Sequence, residues 1–190
     1  MVALSECGTR AYIDAGVWSH DADERACGRR LLRSVSRGML LLWDRGFHSC
    51  EMIAAVLSRG AHVLGRLPAT VKPELVRTLP DGTRIVRLRP ADPKMRRAGM
   101  AVQVRLIGYT IDDPGRVGHG TEHRLVTTLL DPEQAPAEEL VVCYYSSPSR
   151  GPYGRLFGST SGGSSSSAWM NSRRTSGRRS FPCAARDPWE

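Results

Sequence analysis

A chain of 190 residues with 41% apolar and 24% charged side chains has the make-up of an ordinary globular protein, with enough length for one sizeable core. Its formal charge of +8 and pI near 9.8 favour a polyanionic partner, nucleic acid first. No apolar run approaches the ~20 residues of a membrane span, and no charged segment followed by an apolar one suggests export.

The cations are all arginine except Lys72 and Lys94. The planar guanidinium suits phosphate, and an arginine excess equally suits a GC-rich coding sequence. Cys7, Cys27, Cys50, Cys143 and Cys183 are spaced too irregularly for a zinc motif or an even disulfide framework, so reduced, mostly buried thiols in a cytoplasmic protein are expected.

Residues 2–7 and 11–18 read as a hairpin about Gly8, and a strand starting two residues from Met1 suggests a chain that opens in the middle of a fold. "DADERACGRRLLRSV" reads as a helix capped by Asp21 or Asp23, with Ala26, Leu31, Leu32 and Val35 on one face. After Gly38, Leu40 to Trp43 are apolar without alternation, as in a strand covered on both faces. Ser49 caps a second helix that Gly60 closes, and "AHVLGRLP" is another buried strand. The order strand, strand, helix, strand, helix, strand predicts an α/β sheet core.

From about 70 to 112 the pattern changes to an antiparallel β insertion. "ELVRTLPDGTRIVRLRP" gives two alternating strands about Pro80-Asp81-Gly82, and "MAVQVRLIGYTI" gives a third. Arg77, Arg84, Arg87 and Arg89 form its basic face, available to DNA phosphates or to solvent. "HRLVTTLLDP" returns to the core, and "PAEELVVCYY" starts a helix with Pro136 at its first turn. Residues 1–145 thus read as one domain. Residues 146–190 are rich in Ser, Gly, Pro and Arg without periodicity and read as a disordered basic tail.

The candidate chemistry is at the end of the third strand, which is expected to lie centrally in the sheet. Asp44 lies beyond the carboxyl end of "LLLW", where open α/β sheets carry functional groups, though a lone Asp there also serves simply as a turn cap or a partner for Arg45. Phosphoryl transfer without a covalent intermediate needs several carboxylates around two Mg²⁺ ions. "LLLWDRGFHSCEMIAAVLSRGAHVLGRLP", then "HRLVTTLLDPEQAPAEEL", with "ALSECGTRAYIDAG" before them, resembles the DDE transposases of bacterial insertion sequences, the insertion-sequence-four-like group. The resemblance runs from about residue 2 to 143.

It implies a ribonuclease H-like core interrupted by a β insertion, Mg²⁺-dependent cutting of transposon ends and joining to target DNA, and a homodimer near the nucleoid. It makes Asp44 the second of three catalytic acids and a metal ligand, with Arg45, Arg77, Arg84, Arg87 and Arg89 as candidate DNA contacts. The family's first Asp belongs to a strand preceding Val2, which this chain lacks. Asp14 comes too late to replace it and reads as structural; Asp131 is the other aspartate in the matched segments.

The family's Glu sits in a Tyr-x-x-Arg-Trp-Glu type motif that is missing after "PAEELVVCYY". In the shifted frame, Trp169-Met170-Asn171 must read Asp-Glu, and "FGSTSGGS" (157–164) is able to read through Arg-Trp-Glu at the family's spacing. A frameshift between about 143 and 157 follows, and with it a pseudogene fragment retaining one acid of three. The competing reading is a non-catalytic basic module that binds nucleic acid, for instance a transposition inhibitor. "HGTEH" (119–123) has metal-like spacing without a third ligand and reads as incidental.

Overall fold

The computed structural model describes residues 1–7, 11–19, 23–110 and 120–146. The tail expectation for 146–190 falls outside them, apart from the backbone of Ser146. In chain order the elements are β1 (Val2–Ser5), β2 (Tyr12–Gly16), α1 (Glu24–Leu31), β3 (Leu40–Trp43), α2 (Cys50–Leu57) and β4 (His62–Arg66). There follow β5 (Glu74–Thr78), β6 (Arg84–Leu88), α3 (Pro93–Arg97), β7 (Val102–Thr110), β8 (Glu122–Thr127) and α4 (Ala137–Ser146). The protein is mixed α/β. A mostly antiparallel sheet runs in the order β3-β4-β8-β7-β6-β5, and β1 and β2 form a separate hairpin.

Local chemistry starts and stops these elements where the sequence indicates. The Asp23 carboxylate accepts the Arg25 amide at 3.2 Å and so caps α1. The Ser49 hydroxyl accepts the Met52 amide at 3.0 Å and caps α2, whose Met52, Ile53 and Val56 are fully buried. Gly60, at φ +69°, turns the chain out of that helix without the penalty a Cβ would incur.

Each face of the large sheet has its own core. Leu41, Trp43, Val63, Val86, Leu88, Val104, Leu106 and Val126 pack with α1, α2 and the Val2 and Leu4 side chains of β1. Leu42, Leu64, Ile107 and Leu125 pack on the other face with Leu140 and Tyr144 of α4. The continuous apolar run Leu40–Trp43 is explained by this double covering.

Three expectations need correction. First, β3 pairs only with β4, in parallel, and is the edge strand of its sheet rather than a central one. Apolar side chains on alternate faces report burial above and below, not pairing at both edges. Second, the β5-β6-β7 segment is not set apart from the core: β7 pairs with β8, and β8 with β4, so it extends the same sheet. Third, α3 is a short exposed helix within the segment expected to be a β insertion; the Asp92 carboxylate caps it, accepting the Lys94 amide at 2.8 Å. Cys27 and Cys50 are buried free thiols, and the Cys7 thiol is half-buried. No helix among the described residues is long and apolar enough to cross a membrane.

One buried charge ties the outer strands to the rest. Arg105 on β7 is wholly inaccessible. It donates to Thr83 Oγ1 at 2.8 Å, to the Ala135 carbonyl at 2.5 Å and to Asp81 Oδ2 at 2.5 Å. Asp81 in turn accepts the Thr83 amide and hydroxyl. Burial raises the Asp81 carboxyl, but the Thr83 and Arg105 hydrogen bonds outweigh it and hold the group below its ordinary value. The β5–β6 turn is thereby fastened to the segment entering α4.

Candidate functional site

Trp43, the last residue of β3, is 2% exposed. Its carbonyl accepts the Tyr144 hydroxyl at 3.2 Å, which joins α4 to the strand end. Its indole lies against Gly65 on the paired strand, where a Cβ would collide with the ring. This close approach is the reason a glycine interrupts the otherwise bulky β4. The indole Nε1 is buried without a hydrogen-bond partner.

Asp44 leaves the strand half-buried. Its Oδ1 accepts the Arg45 amide at 2.7 Å, and its carbonyl accepts the Phe47 amide at 3.1 Å, so the residue caps a single 3₁₀ turn over Arg45–Phe47. Phe47, 1% exposed, anchors the turn in the core, and Arg45 points to solvent. The first turn of α1 packs here: Glu24 Oε2 stands 3.9 Å from where a Gly46 Cβ would be. His48 is largely enclosed, with Nδ1 unpartnered. Desolvation, with the nearby positive charge of Arg25 adding to it, depresses its pKa to about 4.

Glu24 and His48 are the neighbours that sequence reasoning missed. Nothing in the spacing indicated that α1 packs on the "DRGF" turn.

The other two aspartates of the matched segments lie apart from Asp44 in chemistry or position. The Asp14 carboxylate is held by Arg33 at 2.8 and 2.9 Å and by the Ser34 hydroxyl at 2.7 Å. These hydrogen bonds lower its pKa to about 2, so it is a structural ion-pair partner. Asp131 follows β8, which runs antiparallel to β4, so it emerges at the opposite end of the sheet from Asp44. There its Oδ1 accepts the Glu133 amide and its Oδ2 the Gln134 side chain. Among the described residues no three His, Cys, Asp or Glu side chains converge into a metal-binding group.

The four candidate arginines of the outer strands do not share a face. Arg77 and Arg87 lie on the face of Ile85, and Arg87 and Arg89 both bind the Glu74 carboxylate, at 3.1 and 2.8 Å. Arg84 points to the opposite face, beside Leu106. His119 lies outside the described residues. His123 faces Arg66, whose Nη2 is 2.9 Å from its Nδ1, and stacks at a tilt on Tyr109.

Comparison of the chain with protein-family models, curated proteins and solved structures finds no match.

Proposed function

We propose that the chain is part of a DDE-type transposase with a ribonuclease H-like core, that Asp44 is its second catalytic acid, and that the 190-residue chain is inactive in strand cleavage and joining. The observation that carries this reading is a half-exposed carboxylate at the carboxyl end of an apolar strand paired in parallel with the next, inside the "LLLWDRGF" stretch that resembles the family. The +8 charge fits a protein that works on DNA in the nucleoid.

The described residues do not suit the two Mg²⁺ ions of that family. One oxygen of Asp44 is engaged by the Arg45 amide, Asp14 is neutralised by Arg33, and Asp131 is at the far end of the sheet. A single carboxylate does not hold two ions about 4 Å apart, so no metal-dependent step is assigned to this chain.

The test is a comparison of two proteins on duplexes carrying the ends of the encoding element, with Mg²⁺ present. The chain as it stands should bind in a salt-sensitive way and neither nick nor join. A repaired chain, with an upstream strand added and the reading frame restored after about residue 143, should cleave, and Asp44→Ala in it should abolish cleavage. Cleavage by the 190-residue chain that Asp44→Ala removes would refute inactivity. Cleavage by the repaired chain that survives Asp44→Ala would refute the role of Asp44. The capture of Asp14 by Arg33 and Ser34 favours the second reading, a non-catalytic basic module that binds DNA, under which the repaired chain stays silent too.

A further inference from the structure

Beyond the helices, on the same face as α1 and α2, the sheet carries an open groove of about 350 Å³. Val86, Leu106 and Leu75 give it an apolar floor, and Lys72, Arg84, Arg124 and Glu122 line it. Lys72 and Arg84 are exposed and have no side-chain partner among the described residues. Arg124 is fixed by donating to the Pro68 carbonyl at 2.7 Å. Glu122 folds over Gly108, where a Cβ would stand 3.1 Å from its carboxylate. The groove therefore presents three cations and one acid around a shallow apolar surface.

Strand register relates the groove to Asp44. Arg84 is paired with Leu106 and Arg124 with Gly108, so the two arginines flank β7, about 10 Å apart across the strands. Arg124 accepts the Leu67 amide at its carbonyl, immediately where β4 leaves the sheet. Trp43, and with it Asp44, pairs alongside Gly65 at that same end. Groove and carboxylate thus open at the same end of the strands, with Arg124 two strand spacings (about 10 Å) and Arg84 four (about 19 Å) from the end of β3. The longer span matches about five to six base pairs of duplex at 3.4 Å each.

We infer that this groove is a nucleic-acid backbone site, in which Lys72, Arg84 and Arg124 hold successive phosphates of a duplex that runs across the strand ends toward Asp44. The inference rests on the proposed function for its choice of ligand. The location of the site rests on the register and the charges alone. Phosphates suit the three cations, and the apolar floor accepts sugar carbons.

Binding of a 20-base-pair DNA duplex, measured by fluorescence anisotropy across a salt series, tests it. Lys72→Ala/Arg84→Ala should weaken Kd at least tenfold at low salt and reduce the slope of log affinity against log salt by about 2, near 0.9 per lost phosphate. Lys94→Ala/Arg97→Ala removes the same charge on α3, at the other end of the sheet, and should change Kd less than twofold. Circular dichroism melts confirm that both variants fold. Equal losses in the two variants would overturn the groove in favour of diffuse attraction to net charge, as would no loss in the first. Polyglutamate that competes as well as DNA at matched charge, with the same dependence on Lys72 and Arg84, would overturn the choice of nucleic acid in favour of an acidic protein. A repaired chain that binds through the groove and never cleaves sinks the transposase reading alone.

Discussion

Removing Asp81 strands a charge in the interior. Arg105 is 0% exposed, whereas the Asp81 side chain is 30% exposed, so the two partners pay unequal costs for separation. In Asp81→Ala the guanidinium keeps Thr83 Oγ1 and the Ala135 carbonyl but loses its counter-charge. Breaking a buried pair on one side costs roughly 3–5 kcal/mol, and water entering at the partly open Asp81 position argues for the lower end, about 3 kcal/mol. Arg105→Met retains most of the apolar stem volume and leaves Asp81 in contact with Thr83 and solvent. Its cost is that of the lost hydrogen bonds and the orphaned Ala135 carbonyl, about 2 kcal/mol.

Once Arg105 is gone, Asp81→Ala has little left to disrupt. The double variant should match Arg105→Met within about 0.5 kcal/mol, giving a coupling energy near 3 kcal/mol. Equilibrium urea unfolding of the four proteins, followed by far-ultraviolet circular dichroism, measures this directly. A cost below about 1 kcal/mol for Asp81→Ala, or additive single effects, would refute the view that this pair clamps the β5–β6 turn to α4.

Gly65→Ala should destabilise the protein by about 2 kcal/mol, because its Cβ collides with the Trp43 indole in a packed core; a thermal melt of the variant, and partial recovery in Gly65→Ala/Trp43→Leu, checks it. His48 is held neutral at a pKa of about 4 against an ordinary 6.5, so the unfolded chain binds a proton between these values that the folded one does not. Stability should therefore be full above pH 6.5 and fall as pH drops toward 4, by up to about 3 kcal/mol, and His48→Gln should flatten that slope in urea titrations. Asp14 should titrate near pH 2 by carboxyl NMR, and Arg33→Ala should return it toward the ordinary carboxylate range.

What was legible in the sequence was local. The Ser49 cap, the Gly60 stop, the Pro80-Asp81-Gly82 turn and the doubly apolar Leu40–Trp43 run each encode their element through interactions within a few residues. What escaped was set by distant pairing. Nothing in "LLLW" distinguishes a central strand from an edge strand buried by helices on both sides, and nothing in residues 70–112 says that β7 will lie beside β8. The split of the arginines was visible in principle, since Arg84 and Arg87 are three apart in a period-two strand and so must face opposite ways. The position of Glu24 beside Gly46 was not, because helix-to-turn packing leaves no periodic trace. Met95 sits in α3 among charges and one proline, without the apolar repeat that announces a helix.

The union of β4 and β8 has a kinetic consequence. The hydrogen bond from Thr127 Oγ1 to the Val63 carbonyl joins residues 64 positions apart, with the whole of β5, β6 and β7 between them. The neighbouring β3-α2-β4 unit and the β5–β6 and β6–β7 pairs close over much shorter loops. Loop-closure entropy must be overcome before a distant pairing gives anything back. Pulse-labelled hydrogen exchange should accordingly protect the β6–β7 amides ahead of those shared by β4 and β8, with the chain meeting at Leu64–Thr127 as the slow, committing event of folding.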